Sequence, residues 1–244
     1  MGMDMMHRDR QGMHGDAGMR GAGDGDDLTV LCDFDGTISL IDTAEYILER
    51  HARGDWKALE RSVAEGIITL EECMSMQFDM IALSRDEMLV ELDRVVIPRP
   101  GFEELVEKCL FNSVTFRITS AGMDFYIRHF LEPFGWRDRV ELVAPEVVDT
   151  GKGVRFQFPP KLFSQAHNFK EDNVLKEHAA GKRVAYIGDG TSDLWAAMAA
   201  DMAFAVRGSV LDLHLNRMGR DHLTFTDLRE VVEVLFSGPP RQRG

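Results

Sequence analysis

The chain has 244 residues, of which 44% are hydrophobic and 28% are charged, and its formal net charge is −13. This size and composition indicate a soluble globular protein with one large domain, or one domain that carries a smaller insert. The strong acidic excess argues against nucleic-acid or anionic-membrane binding, because phosphate-rich surfaces bind basic patches. A phosphorylated substrate would need a local source of positive charge, such as a bound metal ion.

The cysteines and the N-terminal segment indicate the cellular compartment of the protein. Cys32, Cys73 and Cys109 are odd in number and widely spaced, which fits a reducing compartment and supports neither a disulfide framework nor a zinc site. No apolar run is long enough to cross a membrane. Residues 1–27 are rich in Met, Gly and Asp without an apolar stretch, which predicts a disordered tail rather than a signal peptide. We therefore expect a cytoplasmic protein.

The elements after the tail follow a regular order. Residues 28–33 form a short apolar run that predicts a buried strand. About four helices are predicted between residues 42 and 94, with breaks near Gly54, Gly66 and Ser84. The remaining chain alternates between predicted helices at 101–111, 122–133, 170–180, 192–200 and 226–236 and predicted strands at 114–119, 139–144, 154–158 (a hairpin strand), 183–188 and 202–206.

This alternation indicates the fold class. Strands separated by helices form parallel βαβ units, so we expect an α/β fold, a Rossmann-like open parallel sheet with helices on both faces. Ligands of such sheets bind beyond the carboxyl ends of the strands. Functional residues are therefore expected directly after strands.

A pair of carboxylates follows the first predicted strand. Asp33 and Asp35 are two residues apart, so along an extended backbone their side chains can face one ligand, while Phe34 points into packing. Gly36 permits a tight turn after them, and Thr37 offers a hydroxyl.

Two later strand ends carry further polar groups. The segment Ser120-Ala121-Gly122 offers a hydroxyl and backbone N–H groups at a predicted helix start, which suits a phosphoryl oxygen. Asp189 ends another strand, and Asp193 begins the next helix. Converging carboxylates repel one another unless a cation neutralises them. Oxygen ligands of this kind select a hard ion, and Mg²⁺ typically binds to one or two carboxylates together with waters and substrate phosphate.

Each motif alone also has a structural interpretation. A DxD sequence is common in loops, Ser120 could simply cap a helix, and Asp193 could lie at an ordinary helix start. Their joint occurrence, in register with the predicted sheet, favours a functional site.

Together these motifs resemble the haloacid dehalogenase-like superfamily, over about Leu28 to Phe236. The resemblance implies that Asp33 is the nucleophile of an aspartyl-phosphate mechanism and that Asp35 is the general acid and base. It implies a Mg²⁺ site made by Asp189, the Asp33 carboxylate and the Asp35 backbone carbonyl, with Asp193 supporting that site without touching the ion.

The resemblance also implies residues that hold the phosphate. Ser120, with Ala121 and Gly122, would bind phosphoryl oxygens. A lysine would hold the phosphate and the nucleophile together, and Lys170 fits this role because it opens the helix before the strand that ends at Asp189. Lys176 is the competing candidate, and Lys161 lies further away.

Within the superfamily the chain resembles the phosphoserine phosphatase-like group. The resemblance is carried by the segments DFDGTIS, Ser120–Phe125 and GDGTSD. It is most similar there to the methionine-salvage phosphatases that act on 2-hydroxy-3-keto-5-methylthiopentenyl-1-phosphate. The resemblance implies a helical cap at 41–97, inserted in a catalytic core formed by 28–40 and 98–244. Asp42 stands where phosphoserine phosphatases carry a glutamate for the substrate amine.

Two substrate interpretations therefore remain open, together with other activities. Gln77 aligns with the arginine that binds the carboxylate of phosphoserine, which disfavours that substrate unless Arg61 or Arg85 replaces it. Met74, Met76 and Met80 could line a pocket for a thioether, although methionines at helical spacing are more often core residues. A phosphomutase, a phosphoprotein phosphatase and a catalytically silent phosphometabolite-binding module are the alternatives. A small phosphorylated metabolite is the expected partner, and the sequence does not give the oligomeric state.

Overall fold

The computed structural model describes residues 27–151 and 153–236. The predicted disordered tail, 1–27, lies outside the described residues except for Asp27. The strands are β1 Leu28–Cys32, β2 Thr115–Thr119, β3 Glu141–Val143, β4 Glu146–Asp149, β5 Val154–Gln157, β6 Arg183–Gly188, β7 Met202–Val206 and β8 Leu223–Phe225. The helices are α1 Thr43–His51, α2 Trp56–Ala64, α3 Leu70–Phe78, α4 Arg85–Leu92, α5 Phe102–Phe111, α6 Asp124–Leu131, α7 Phe169–Ala179, α8 Leu194–Ala199, α9 Val210–Met218 and α10 Leu228–Phe236.

Six strands form one parallel sheet in the order β3-β2-β1-β6-β7-β8. Strand β1 lies in the interior of this sheet, and all five of its residues are buried, because helices cover both faces. The expected α/β fold with a Rossmann-like open parallel sheet is confirmed. β4 and β5 form a separate antiparallel hairpin.

The chain between β1 and α5 contains the four helices α1–α4. We call these the inserted helices. They begin at strong N-caps, since the side chains of Asp42, Asp55, Thr69 and Ser84 each accept a hydrogen bond from the third residue that follows. Each cap satisfies a backbone N–H in the first turn of its helix, and the four helices are separate, as the breaks near Gly54, Gly66 and Ser84 predicted.

Three elements were not predicted from the sequence. β4 is only four residues long and has three exposed positions, so it carries little apolar pattern. α9 and β8 lie in the stretch between β7 and α10, for which the sequence analysis named no element. The predicted helix at 192–200 begins instead as a single 3₁₀ turn, Thr191–Asp193, that leads into α8.

One further feature concerns the helices as a group. No helix among residues 27–151 and 153–236 combines the length and the apolar character that crossing a bilayer requires.

Candidate active site

The functional residues expected from the sequence meet at one edge of the sheet. The carboxyl ends of β1, β2 and β6 lie side by side there, because β1 pairs with both of the other strands in parallel register. The cavity above this edge is lined from the core by Asp33, Asp35, Ser120, Ala121, Gly122, Lys170 and Asp189, and from the start of α1 by Asp42. Asp193 lies beneath the cavity and is fully buried.

Lys170 occupies the centre of a buried ion-pair network. Its ammonium donates to Asp33 Oδ1 at 2.8 Å, to Asp193 Oδ1 at 2.6 Å and to the Ser192 hydroxyl at 3.0 Å. Burial lowers the pKa of this lysine, but the two carboxylates outweigh burial and raise the pKa above its usual value. Lys170 is therefore a permanent positive charge next to Asp33.

The competing lysines lie elsewhere. Lys176 binds Asp172 at 2.7 Å on the outer part of α7, and Lys161 donates to the backbone carbonyl of Ala166 at 2.9 Å. Of the described residues that line the cavity, only Lys170 is positively charged.

Asp193 is held by four donors. Its Oδ1 accepts from Lys170 and from the Tyr186 hydroxyl at 2.7 Å, and its Oδ2 accepts from the backbone N–H groups of Asp189 and Gly190 at 3.0 and 2.9 Å. This carboxylate fixes the loop after β6, which carries Asp189. Gly188 allows the close approach, because a Cβ there would lie 2.6 Å from the Asp193 carboxyl carbon.

Asp35 points away from this network, towards the inserted helices. Its Oδ1 accepts from the Thr43 backbone N–H at 2.8 Å and from the Thr43 hydroxyl at 2.6 Å. Burial, followed by the charges of Asp42 and Asp33, raises the pKa of Asp35 well above its usual value, despite the hydrogen bonds from Thr43. A raised pKa favours the protonated form of the carboxyl group, which is the form that general acid catalysis requires.

Ser120 and its neighbours form a compact turn after β2. The Ser120 hydroxyl oxygen accepts from the Gly122 backbone N–H at 2.9 Å, so its own proton remains available to a ligand. Gly122 must lack a side chain because a Cβ would lie 2.2 Å from Asp35 Oδ2.

The acidic residues fit a divalent cation. Among the described residues, Asp33, Asp189 and Asp193 offer one oxygen each, and these oxygens lie within 4.8 Å of one another. Burial and the mutual repulsion of these carboxylates raise the pKa of Asp33 to about 7 and that of Asp189 to about 8, with Lys170 offsetting part of the effect. Lys170 alone does not neutralise three carboxylates, and the all-oxygen donor set suits Mg²⁺.

Several residues of this site were not predicted from the sequence. Thr43 binds Asp35, Ser192 and Tyr186 complete the Lys170–Asp193 network, and Glu45 and Glu60 line the cavity from the inserted helices. Ser192 lies within GDGTSD and could have been found there. Tyr186 lies inside strand β6, where it looks like an ordinary buried aromatic residue. Thr43, Glu45 and Glu60 carry no local signal, since only the packing of the inserted helices over the sheet edge brings them to the site.

The candidate arginines for a substrate carboxylate lie outside the cavity lining. Arg61 pairs with Asp55 at 3.1 Å, and the Arg85 guanidinium lies 4.7 Å from the centre of the Phe125 ring. Of the three methionines considered for a thioether pocket, Met74 lines the cavity, whereas Met76 is largely exposed and Met80 packs next to Gly54.

Comparison with known proteins identifies the family. Residues 30–198 match the sequence pattern of the haloacid dehalogenase-like hydrolase family. The 2-hydroxy-3-keto-5-methylthiopentenyl-1-phosphate phosphatase of Brevibacillus brevis is 27% identical over 213 residues, which cover 85% of this chain and 95% of that protein. The bifunctional enzyme MtnB/MtnX of Bacillus licheniformis is 26% identical over 84% of this chain, and the match spans 48% of that longer protein.

Solved structures agree on the fold. A phospho-aspartyl intermediate analogue of phosphoserine phosphatase superposes with a TM-score of 0.64 over 85% of this chain and 98% of that chain, at 19% identity. The expected resemblance to the phosphoserine phosphatase-like group and to the methionine-salvage phosphatases is confirmed. The chain belongs to the haloacid dehalogenase-like hydrolases, and it is a phosphatase of that family.

Proposed function

We propose that this phosphatase is a Mg²⁺-dependent phosphomonoester hydrolase of a small metabolite and that it works through an aspartyl-phosphate on Asp33. The observation that carries the proposal is the buried Lys170 bridge between Asp33 and Asp193, close to Asp189 and in the cavity that Asp35 also lines. In phosphoryl transfer the protein mainly positions the reacting groups and neutralises the charge on the phosphoryl oxygens, and this arrangement does both.

In the first step, a carboxylate oxygen of Asp33 attacks the phosphorus and the bond from phosphorus to the leaving oxygen breaks. Lys170 binds Asp33 Oδ1 at 2.8 Å, so we assign the other carboxylate oxygen, Oδ2, to the attack. Asp35 gives its proton to the leaving oxygen, and burial favours this role because it raises the pKa of Asp35.

In the second step, a water molecule attacks the phosphorus of the aspartyl-phosphate. Asp35, now ionised, takes a proton from this water, the bond between phosphorus and the Asp33 oxygen breaks, and free phosphate leaves. Thr43 holds Asp35 in one orientation through two hydrogen bonds, so the same oxygen serves both steps.

The residues that would hold Mg²⁺ are Asp33, Asp189 and the backbone carbonyl of Asp35, with Asp193 fixing the loop of Asp189. When bound, the ion supplies positive charge that keeps the carboxylates ionised and neutralises phosphoryl oxygens. The Ser120 hydroxyl and the backbone N–H groups of Ala121 and Gly122 would contact the phosphate from the other side.

We also propose that residues 41–97 act as a cap over the core formed by 28–40 and 98–244. The two connections between these parts run side by side, since Leu40 N–H donates to the Ile97 carbonyl at 3.0 Å and Ser39 pairs with Pro98. A lid of helices keeps bulk water away from the intermediate and admits small substrates. The three cysteines are unpaired and buried, which fits a reducing compartment such as the cytoplasm.

For the substrate we propose 2-hydroxy-3-keto-5-methylthiopentenyl-1-phosphate. The names of the similar curated phosphatases support this choice, and Met74, Leu48 and Leu70 give the cavity an apolar part that suits a thioether. Phosphoserine is the second candidate because of the fold of the solved relatives, but Gln77 lines the cavity at the position expected for its carboxylate-binding arginine.

The test is phosphate release from a panel that includes phosphoserine and enzymatically generated 2-hydroxy-3-keto-5-methylthiopentenyl-1-phosphate, with Mg²⁺ and with EDTA. We expect release that is concentrated on the second compound and that EDTA abolishes. Transfer of the phosphoryl group to a second hydroxyl without free phosphate would indicate a phosphomutase. Tight binding without any turnover would indicate a binding module and would overturn the proposal.

A further inference from the structure

The wall of the cavity that faces the catalytic residues is unusually acidic. Asp42 and Glu45 come from the start of α1, and Glu60 comes from α2. Burial and the charge of Asp42 raise the pKa of Glu45, while burial and the charge of Glu45 raise that of Glu60. All three side chains line the same cavity, and Asp42 and Glu45 lie on one helical turn, where Asp42 Oδ1 accepts from the Glu45 backbone N–H at 2.8 Å.

Among the described residues, no cationic side chain in the cavity is free to offset the charge of this wall. Lys170, the one cation among the described lining residues, already binds Asp33 and Asp193. Lys57 reaches Glu45 only at 4.0 Å from its exposed position outside the cavity, and it lies closer to Glu49, at 3.4 Å. A carboxylate on the substrate would therefore meet three like charges and no ion-pair partner.

The neutral residues of the wall do not change this balance. The Gln77 amide nitrogen donates to the Trp56 carbonyl at 3.4 Å, and the Gln77 side chain also hydrogen-bonds Glu60. Its donors are thus already engaged. Leu48, Leu70 and Met74 add apolar surface next to the carboxylates.

We propose that the part of the substrate beyond the phosphate carries no negative charge, presents hydroxyl or ammonium donors to Glu45 and Glu60, and packs an apolar portion against Leu48, Leu70 and Met74. This inference rests on the proposed phosphatase function and makes Glu60 a specificity-determining residue. The inference predicts that the site distinguishes substrates by charge. A phosphate ester that carries a carboxylate is rejected because this carboxylate would lie unpaired beside Asp42, Glu45 and Glu60.

The experiment uses two matched pairs of substrates and measures kcat/KM, or the inhibition constant against para-nitrophenyl phosphate where turnover is slow. Phosphoethanolamine differs from phosphoserine only in lacking the carboxylate, and glycerol 3-phosphate differs from 3-phosphoglycerate in having a hydroxymethyl group in its place. We expect the carboxylate-free member of each pair to be favoured by about tenfold or more. Both members of the first pair carry an ammonium group and both members of the second carry a hydroxyl, so the effect of the carboxylate is measured beside each kind of donor.

A variant pair then assigns the effect to Glu60. We expect Glu60→Gln to lower the preference several-fold in both pairs, and Glu65→Gln, on the exposed end of the same helix, to leave it unchanged. The ratio within a pair does not change when a variant merely loses activity. Equal use of both members of a pair, or a preference for the carboxylate-bearing member, would overturn the inference. The phosphatase function would still stand if the protein hydrolysed para-nitrophenyl phosphate. Failure to hydrolyse para-nitrophenyl phosphate would instead remove the proposed function, and the inference with it.

Discussion

At the scale of single residues, the site depends on close approaches between backbone and carboxylates. Gly122 and Gly188 lie where a Cβ would come within 2.6 Å or less of Asp35 or Asp193. Gly36 combines a φ of +71° with a position where a Cβ would touch the Asp189 carboxylate, so both its conformation and its space require glycine. The glycines of these motifs therefore serve the placement of the acidic residues.

Gly122→Ala tests this placement. The added methyl would lie 2.2 Å from Asp35 Oδ2 and would displace Asp35, the proposed proton donor. We therefore expect kcat to fall about 10²-fold or more, because general acid–base catalysis contributes about 10²–10⁴. The backbone at Gly122 is not in the left-handed region, so the melting temperature should change little. Steady-state kinetics with para-nitrophenyl phosphate measure the effect.

Gly190→Ala is the matched control in the same cavity, because its nearest heavy atom would be 3.6 Å away. If both variants lost activity equally, steric displacement of Asp35 would not be the cause.

At the scale of elements, hydrogen bonds tie the loops at the sheet edge to the surrounding framework. The buried Arg99 guanidinium donates to the carbonyls of Gly36, Thr37 and Thr226, which joins the loop after β1 to the chain between β8 and α10. At the opposite end of the sheet, Glu177 of α7 accepts from Arg117 of β2 at 2.6 Å and from Thr29 of β1 at 2.8 Å. These contacts hold loops and helices in register with the strands.

The Glu177 network makes stability depend on pH. Burial raises the pKa of Glu177, but the hydrogen bonds from Arg117 and Thr29 outweigh burial and leave the pKa below its usual value. The ionised form is thus favoured by folding, and its contribution is complete above the usual glutamate pKa and is lost as the pH falls through the lowered pKa. We expect Glu177→Gln to cost about 1–3 kcal/mol of unfolding free energy at pH 7.

Urea unfolding of both proteins between pH 7 and pH 3 measures this contribution. The difference between the two proteins should be constant above pH ~5 and should shrink at lower pH. A difference that does not change with pH would mean that packing, and not the charge of Glu177, stabilises this position.

At the scale of the whole molecule, the β4–β5 hairpin joins the inserted helices to the core. The rings of Phe78 and Phe156 lie 4.5 Å apart, and Asp149 of the hairpin accepts from the Arg85 backbone N–H at 3.3 Å. A Cβ at Gly153 would lie 2.5 Å from the Ile81 carbonyl, which shows how closely the two parts approach. Helix α3, which carries Met74 and Gln77, is therefore held over the cavity by the hairpin.

Phe156→Ala tests the importance of this support. Removal of the buried ring should cost about 3–5 kcal/mol of stability and loosen α3. Because α3 lines the part of the cavity beyond the phosphate, we expect KM for an extended substrate to rise more than KM for acetyl phosphate, which is too small to reach α3.

Val148→Ala, at a largely exposed position of the same hairpin, should leave both KM values near those of the unmodified protein. Equal changes in KM for the two substrates of the Phe156→Ala variant would show that the hairpin does not position α3.

The sequence predicted most of the sheet and the strand-end residues, because short apolar runs followed by Asp and Gly are local patterns. It did not predict α9, although Ser209 caps its start and Gly219 ends it in a left-handed conformation. Its first turn mixes exposed Val210 and Leu213 with buried residues, so the apolar spacing gave no clear face. Thr43 and Glu60 were missed for another reason: their roles arise only when distant helices meet the sheet edge.

The measurement that tests the central claim most directly is detection of phosphate on Asp33. The enzyme is mixed with substrate, quenched in acid during turnover and treated with borohydride, which reduces an aspartyl-phosphate to homoserine, and the peptide that contains Asp33 is then sequenced by mass spectrometry. The account predicts homoserine at position 33 and none in the Asp33→Asn variant, which should also lose phosphate release. Homoserine at another position, or rapid phosphate release without any modified residue, would contradict it.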